Sequence, residues 1–324
     1  FGSATQDVAI DAYRVEAEAK HRQGAMAATY VTGYRVAILA AGAGALHLAS
    51  LDSWTIAYTA MAGLMGVGIL TTLIIAEPAV HVTHSTMRLE QRVSDYLART
   101  NHAGWRRNLT AWFIGAMVCP FAEFFQRYGK AALIILAFIA TFRISDIFMG
   151  VMANPFYLDL GFSKAEIANI AAAFGLGMTL LGAALGGLLV ARFGIAPILL
   201  LTAFMAPATN LTFAWLAHIG PEQYGLILAI VADNITGGLA ISVFIAYLSS
   251  LTNTAYTATQ YALFSSIMTL PGQFAAGFTG LLAANMGWVT FFMLTALTGL
   301  PAIVLAFVLI KVAHPDRLKR PGID

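Results

Sequence analysis

Charge is scarce in this sequence: Asp, Glu, Lys and Arg make up 10% of its 324 residues, against 59% hydrophobic. Soluble domains run to about 25% charged and about 45–50% apolar residues. A soluble fold of this length has no means of hiding so much apolar surface, so the solvent of this chain is lipid. Cysteine occurs once, at Cys119, which excludes an intramolecular disulfide framework. Also missing are HExxH, GxSxG, a Walker loop and a GxGxxG placed after a strand, so nothing points to an ATPase or to intramembrane proteolysis. The net charge is +2 and the basic residues are spread over loops, which argues against nucleic acid as a partner. No cleavable signal precedes the first apolar helix. The chain opens at Phe1-Gly2-Ser3, without an initiator Met and within an apparent membrane segment, so the expectation is an amino end cut short.

What the sequence has in abundance is long apolar runs, with a mean hydropathy of +0.76. A bilayer core takes roughly 20 apolar residues per helical span. That ruler gives a partial span at 1–13, then spans at 25–50, 54–76, 131–157, 166–191, 195–217, 223–249, 258–284 and 288–311. The stretch 109–125 is short, contains Pro120 and Glu123 and is flanked by arginines, and reads as an interfacial helix rather than a further span. With Arg14–Arg22 placed in the cytoplasm, the alternating loops put Arg14, Lys20, Arg22, Arg88, Arg92, Arg99, Arg106, Arg107, Arg127, Lys130, Arg192, Lys311, Arg317, Lys319 and Arg320 on that side. Lys164 alone falls outside, while Arg35 and Arg143 lie within spans. Such a bias orients a multi-pass protein, and it leaves the carboxyl terminus cytoplasmic. The layout suits a six-plus-six helical transporter lacking its first three helices: 1–76 the end of the first bundle, 77–130 a central loop, 131–311 the second bundle and 312–324 a basic tail. Small residues recur along the spans, as in GLGMTLLGAALGG at 175–187, and let helix backbones approach closely.

Ionisable groups inside a bilayer are costly and are functional candidates by default. Asp7 and Asp11 share a helix face with Gln6 close by, and Arg14 lies one turn beyond Asp11, where a simple Asp11–Arg14 pair could close the helix end. Arg143 and Asp146 are three apart and can neutralise each other or exchange partners when a proton or an anion arrives. Arg35, beside Tyr34, could clamp a carboxylate, or snorkel to the interface. Asp233-Asn234 falls inside the span 223–249 and is followed by Gly237-Gly238, read as an interruption with a flexible glycine pair. The proton-carrying candidates are thus Asp7, Asp11, Asp146 and Asp233; Gln6, Tyr34, Arg35, Arg143, Asn154, Asn234 and Gln260 are the binding candidates. His81 and His84 have only Glu77 as a further ligand nearby, so they read as solvated loop and no metal or cofactor is expected, the proton being the coupling ion.

These residues also carry a resemblance. Ser3-Ala4-Thr5-Gln6-Asp7-Val8-Ala9-Ile10-Asp11-Ala12-Tyr13-Arg14 resembles the fourth-helix signature of the AmpG-type muropeptide permeases, members of the major facilitator superfamily. The likeness extends through Gly33-Tyr34-Arg35, Arg143-Ile144-Ser145-Asp146, Leu160-Gly161-Phe162 with Glu166, Asp233-Asn234 with Gly237-Gly238, and Ala258-Thr259-Gln260-Tyr261-Ala262-Leu263. The stretch 186–194 is similar to the superfamily's cytoplasmic gate motif, with Ala191 where the fuller motif has Asp. The resemblance implies an all-α polytopic bundle, monomeric, in the bacterial inner membrane. It further implies proton-driven import of anhydro-muropeptides (GlcNAc-anhydroMurNAc with or without peptide) for wall recycling and, in some bacteria, a role in β-lactamase induction.

Other readings compete. A drug efflux pump belongs to the same class and would be told apart by transport direction in vesicles with an imposed pH gradient. A receptor or scaffold working through the 77–130 loop would have inert spans, which the intramembrane acids and arginines contradict. An intramembrane enzyme lacks a nucleophile–base or metal set.

Overall fold

The computed structural model describes residues 2–19, 22–51, 53–78 and 112–312, with isolated positions at 91, 105 and 109. The histidines at 81 and 84, most of the central loop with its arginines, Lys20 and the carboxyl-terminal tail lie outside the described residues.

Every regular element among the described residues is helical, because lipid offers backbone groups no partner and each segment must satisfy its own N–H and C=O. The elements are α1 (Gly2–Ala17), α2 (Gln23–Leu39), α3 (Ala45–Leu51), α4 (Trp54–Ile74), α5 (Cys119–Tyr128), α6 (Ala131–Phe142), α7 (Ile144–Leu160), α8 (Lys164–Ile170), α9 (Leu176–Phe193), α10 (Ile195–Ile219), α11 (Gln223–Leu251), α12 (Thr257–Ala276), α13 (Thr279–Met286), α14 (Trp288–Leu297) and α15 (Leu300–Val312). Seven helical stretches among the described residues are long and apolar enough to cross a membrane; α12 and α13, bent by 43°, form an eighth if taken as one span. They match the apolar runs read from the sequence. The 109–125 stretch is helical from 112 onward, ends in α5 and is not among those spans.

The turns follow local chemistry. Gly161 ends α7 with φ 107°, a left-handed conformation that costs glycine little. Ser163 and Glu166 then form a reciprocal capping box at the start of α8. Gly194, φ +83°, reverses the chain between α9 and α10.

Two buried clusters organise the second bundle. One surrounds Phe138, Phe142 and Phe244, with the latter two rings stacked at 4.3 Å; the other surrounds Phe156, Phe213 and Phe292. The helices of the first bundle meet it through α1 on α12 and α2 on α9 and α11. Those contacts concentrate at one end. In α1 only Arg14 and Val15 are buried, and in α2 only Gln23, Gly24, Ala27 and Val31. Arg22 and Arg192 lie two residues from the touching Gly24 and Val190, Arg14 bonds Ser249, and Arg127, Lys130 and Lys311 stand within two residues of Tyr128 and Ile310, which share a cavity with Leu251; this is the basic end. An added Cβ on Gly24 would lie 2.7 Å from the Val190 side chain, and one on Gly187 would lie 3.0 Å from the Gly24 carbonyl, so α2 and α9 touch nearly backbone to backbone there. Away from the basic end α1 and α2 are mostly exposed, with Val8 and Arg35 half-buried.

Two sequence expectations are corrected. Asp233-Asn234 does not interrupt its span: α11 runs unbroken from Gln223 to Leu251, with the Asn234 Nδ2 donating 2.8 Å to the Ile230 carbonyl of the preceding turn. Gly238 is not a flexible point either, since a Cβ there would run into the Thr179 carbonyl of α9. Its role is close packing.

Candidate functional site

The long span Ala131–Leu160 is continuous but loses regular α geometry at one residue, Arg143 (φ −101°, ψ 1°), the break between α6 and α7, which the Ile147 N–H to Arg143 carbonyl bond of 2.9 Å bridges. At this break the Arg143 Nη2 donates to Asp146 Oδ2 at 2.7 Å, with both side chains half-buried. Asp233, half-buried on α11, lies within electrostatic reach of both Arg143 and Asp146, and Tyr157 of α7 feels Asp233 in turn. Two carboxylates therefore face one guanidinium.

A buried polar set props up the break. Asn210 Nδ2 of α10 donates to Ser145 Oγ at 2.8 Å and to Thr295 Oγ1 of α14 at 3.1 Å, while Ser145 Oγ donates to the Thr295 carbonyl at 2.9 Å. All three side chains are fully buried, where an unmet hydrogen bond is expensive, so this set ties α7, α10 and α14 together beside the charged pair. Asn234 also turns out to be a helix-to-helix tie: its Oδ1 accepts from Thr179 Oγ1 of α9 at 2.8 Å.

At the basic end Arg14 is 3% exposed. Its Nη1 donates to Ser249 Oγ of α11 at 2.9 Å and its Nη2 stands 3.6 Å from Asp11 Oδ1. Its guanidinium lies 5.5 Å from the Tyr30 ring centroid and 5.1 Å from that of Tyr261. Aromatic faces attract a cation, more strongly when it is desolvated. One side chain so joins α1, α2, α11 and α12. The Asp11–Arg14 pair is present as its spacing suggested.

A second knot sits beside it. Gln260 Nε2 of α12 donates to Glu123 Oε2 of α5 at 2.7 Å and to the Pro120 carbonyl at 2.9 Å. Its Oε1 accepts from the Asn253 backbone N–H at 2.8 Å. Arg127 Nε is 3.2 Å from Glu123 Oε1, and its Nη2 donates to the Leu251 carbonyl at 2.6 Å. Gln260 is 0% exposed with both ends of its amide engaged, so the structure places this binding candidate in the tie between α5 and the α11–α12 turn, apart from the charged break. Truncation of Gln260 to Ala removes one partner of the buried Glu123 carboxylate and leaves the Asn253 backbone N–H without its acceptor, costing about 1–3 kcal/mol, and loosens α5. The sole cysteine, Cys119, is buried at the start of that helix. Its maleimide labelling in Gln260→Ala is therefore expected to quicken by about ten-fold; an unchanged rate means that the knot does not hold the helix.

The remaining candidates are not brought to either cluster. Gln6, Asp7, Tyr34 and Asn154 are exposed, Asp7 acting electrostatically on Asp11, and Arg35 is half-buried without an ion pair to a described residue. Sequence reading missed Ser145, Thr179, Asn210 and Thr295, which look like ordinary apolar-helix residues, and missed Asn253 and the role of Glu123. For Glu123 the i,i+4 spacing to Arg127 was a usable signal.

Comparison with known proteins agrees with this geometry. Residues 131–324 match the family described as the Major Facilitator Superfamily. The chain is 33% identical to the protein named "Putative transporter AmpG 4" of Rickettsia conorii, over 94% of this chain and 69% of that protein. It is 32% identical to the protein of the same name in Rickettsia felis, over 96% of this chain and 70% of that protein. To the "Anhydromuropeptide permease" of Escherichia coli it is 29% identical, over 95% of this chain and 58% of that protein. A multi-pass helical bundle with charged groups at a helix break is a transporter's construction rather than an enzyme's, and the chain belongs to the major facilitator superfamily as a transporter of the AmpG type.

Proposed function

We propose that this chain imports anhydro-muropeptides, GlcNAc-anhydroMurNAc with or without its peptide, across the bacterial inner membrane in symport with protons. The observation that carries this reading is the Arg143–Asp146–Asp233 cluster, where a long span loses regular α geometry at Arg143. Two carboxylates against one guanidinium leave a single negative charge, which one proton cancels. An anionic substrate could instead take the guanidinium from Asp146, tying substrate arrival to proton arrival. The name of the Escherichia coli relative supports the substrate class.

In this reading the basic end and the carboxyl terminus face the cytoplasm, following the positive-charge bias. Residues 1–76 and 131–311 act as parts of two rocking bundles joined by the 77–130 loop. Asp146 and Asp233 carry the proton, with Asp7 and Asp11 as a second relay on α1. Arg143, Arg35, Tyr34, Gln6 and Asn154 serve the sugar-peptide, while Asn234 ties α11 to α9. Arg14 and the Gly24 contacts with Val190 and Gly187 hold the cytoplasmic side shut while the cavity opens outward, the closed half of an alternating-access cycle. The protein works as a monomer without a metal or organic cofactor.

The test is uptake of labelled GlcNAc-anhydroMurNAc by cells carrying the gene, with and without a protonophore. Accumulation should collapse with the protonophore, and Asp233→Asn should lower it at least about ten-fold at unchanged membrane abundance. Accumulation that persists with the protonophore overturns proton coupling, and no uptake in any condition overturns the substrate.

A further inference from the structure

Away from the charged break, and bordering the Gln260–Glu123 knot at Leu251, the second bundle contains a cavity of about 630 Å³ at its basic end. It lies between α5, α10, α11 and α15, and α6 contributes Ile135. Leu200 and Ala306 stand among its apolar lining, and the Tyr128 and Tyr247 side chains, close enough to interact electrostatically, form part of its wall. Ligand sites in proteins are typically apolar cavities of about 300–1,000 Å³ with a few placed polar groups.

Basic residues neighbour the lining of this cavity along the chain. The Arg127 guanidinium lies 4.8 Å from the centroid of the Tyr128 ring. Lys130 follows two residues after Tyr128, Lys311 follows the lining residue Ile310, and Arg192 precedes Ile195 by three. Lys130, Arg192 and Lys311 are exposed. Among the described residues of the second bundle and α5, the carboxylate at this end is Glu123, and Arg127, Asn253 and Gln260 already occupy it. The charge left at the mouth is therefore basic.

We propose that this cavity is a binding site for one anionic phospholipid of the surrounding leaflet. An acyl chain enters among α10, α11 and α15, and the head-group phosphate is held by Lys130 and Lys311. Basic pockets between membrane helices take anionic head groups, and each lysine near the surface contributes about 1 kcal/mol. An apolar chain with an anionic head matches both the lining and the rim, whereas the polar, sugar-based substrate of the proposed transport does not. The site stands independently of that transport.

Native mass spectrometry of the purified full chain, titrated with phosphatidylglycerol and separately with phosphatidylcholine, tests it. Phosphatidylglycerol should bind more tightly, and Lys130→Gln and Lys311→Gln should each weaken it by about five-fold while leaving phosphatidylcholine unchanged. Ala196→Trp, which places a ring at the cavity's exposed wall, should reduce binding of both lipids. Equal affinity for the two lipids, or lysine variants that bind phosphatidylglycerol as the parent does, overturns the proposal. So does full lipid binding by a monodisperse Ala196→Trp protein. If that variant does not fold, the lysine variants decide.

Discussion

A single methyl group added at Gly182 is expected to cost this transporter much of its folded stability. A Cβ at Gly182 would run into the Ile235 carbonyl of α11, and one at Gly238 would run into the Thr179 carbonyl of α9. Each obstacle is backbone, which cannot rotate away as a side chain can. Gly186 adds a third close approach, its Cβ lying 2.9 Å from the Leu239 carbonyl. Lipid provides no hydrophobic drive for one helix to seek another, so close van der Waals contact between backbones is what holds α9 to α11. Overpacking such a contact costs about 3 kcal/mol, equivalent to a fall in melting temperature of about 6–12 °C. Thermal unfolding in detergent of Gly182→Ala against Gly177→Ala measures it. Gly177 lies on the same helix with open space where its Cβ would be, so its alanine should be neutral or mildly stabilising. Equal melting of the two variants means that α9 and α11 are not in intimate contact.

The second large effect concerns Arg143. In Arg143→Gln, Asp146 loses the 2.7 Å bond that neutralises it and two carboxylates face each other without a cation. Removing one partner of a sequestered pair leaves the other charge uncompensated, at a cost of about 2–3 kcal/mol here. Adding Asp146→Asn removes that charge, so the double variant should melt closer to the parent than Arg143→Gln does. The expected coupling between the two substitutions is about 1–3 kcal/mol. Transport should be absent from both variants, since restoring charge balance does not restore a guanidinium. Strictly additive destabilisation would show that the pair is not a functioning unit.

Much of the architecture was legible because membrane solvation imposes it locally. Each span announces itself as about 20 apolar residues, and the Ser163–Glu166 capping box is written in four consecutive positions. The Arg143–Asp146 pair follows from helical spacing alone, as does Asp11–Arg14. Gln260 went the other way. As a lone amide in an apolar helix it looked available to a ligand, but its partners Glu123 and Asn253 come from other segments, and periodicity carries no information about them.

Composition and helical period were enough to establish a lipid-embedded all-α chain, its spans and which acids and arginines share a helix face, because these depend on neighbours within one or two turns. Which charged groups meet across helices was settled by folding. Asp233 comes within electrostatic reach of the Arg143 pair, Arg14 reaches Ser249, Tyr30 and Tyr261, and glycine contacts bring α9 to near backbone distance of α11 and α2. Such contacts depend on the shapes of facing helices, and shape complementarity between segments far apart in the chain leaves no periodic trace in either one.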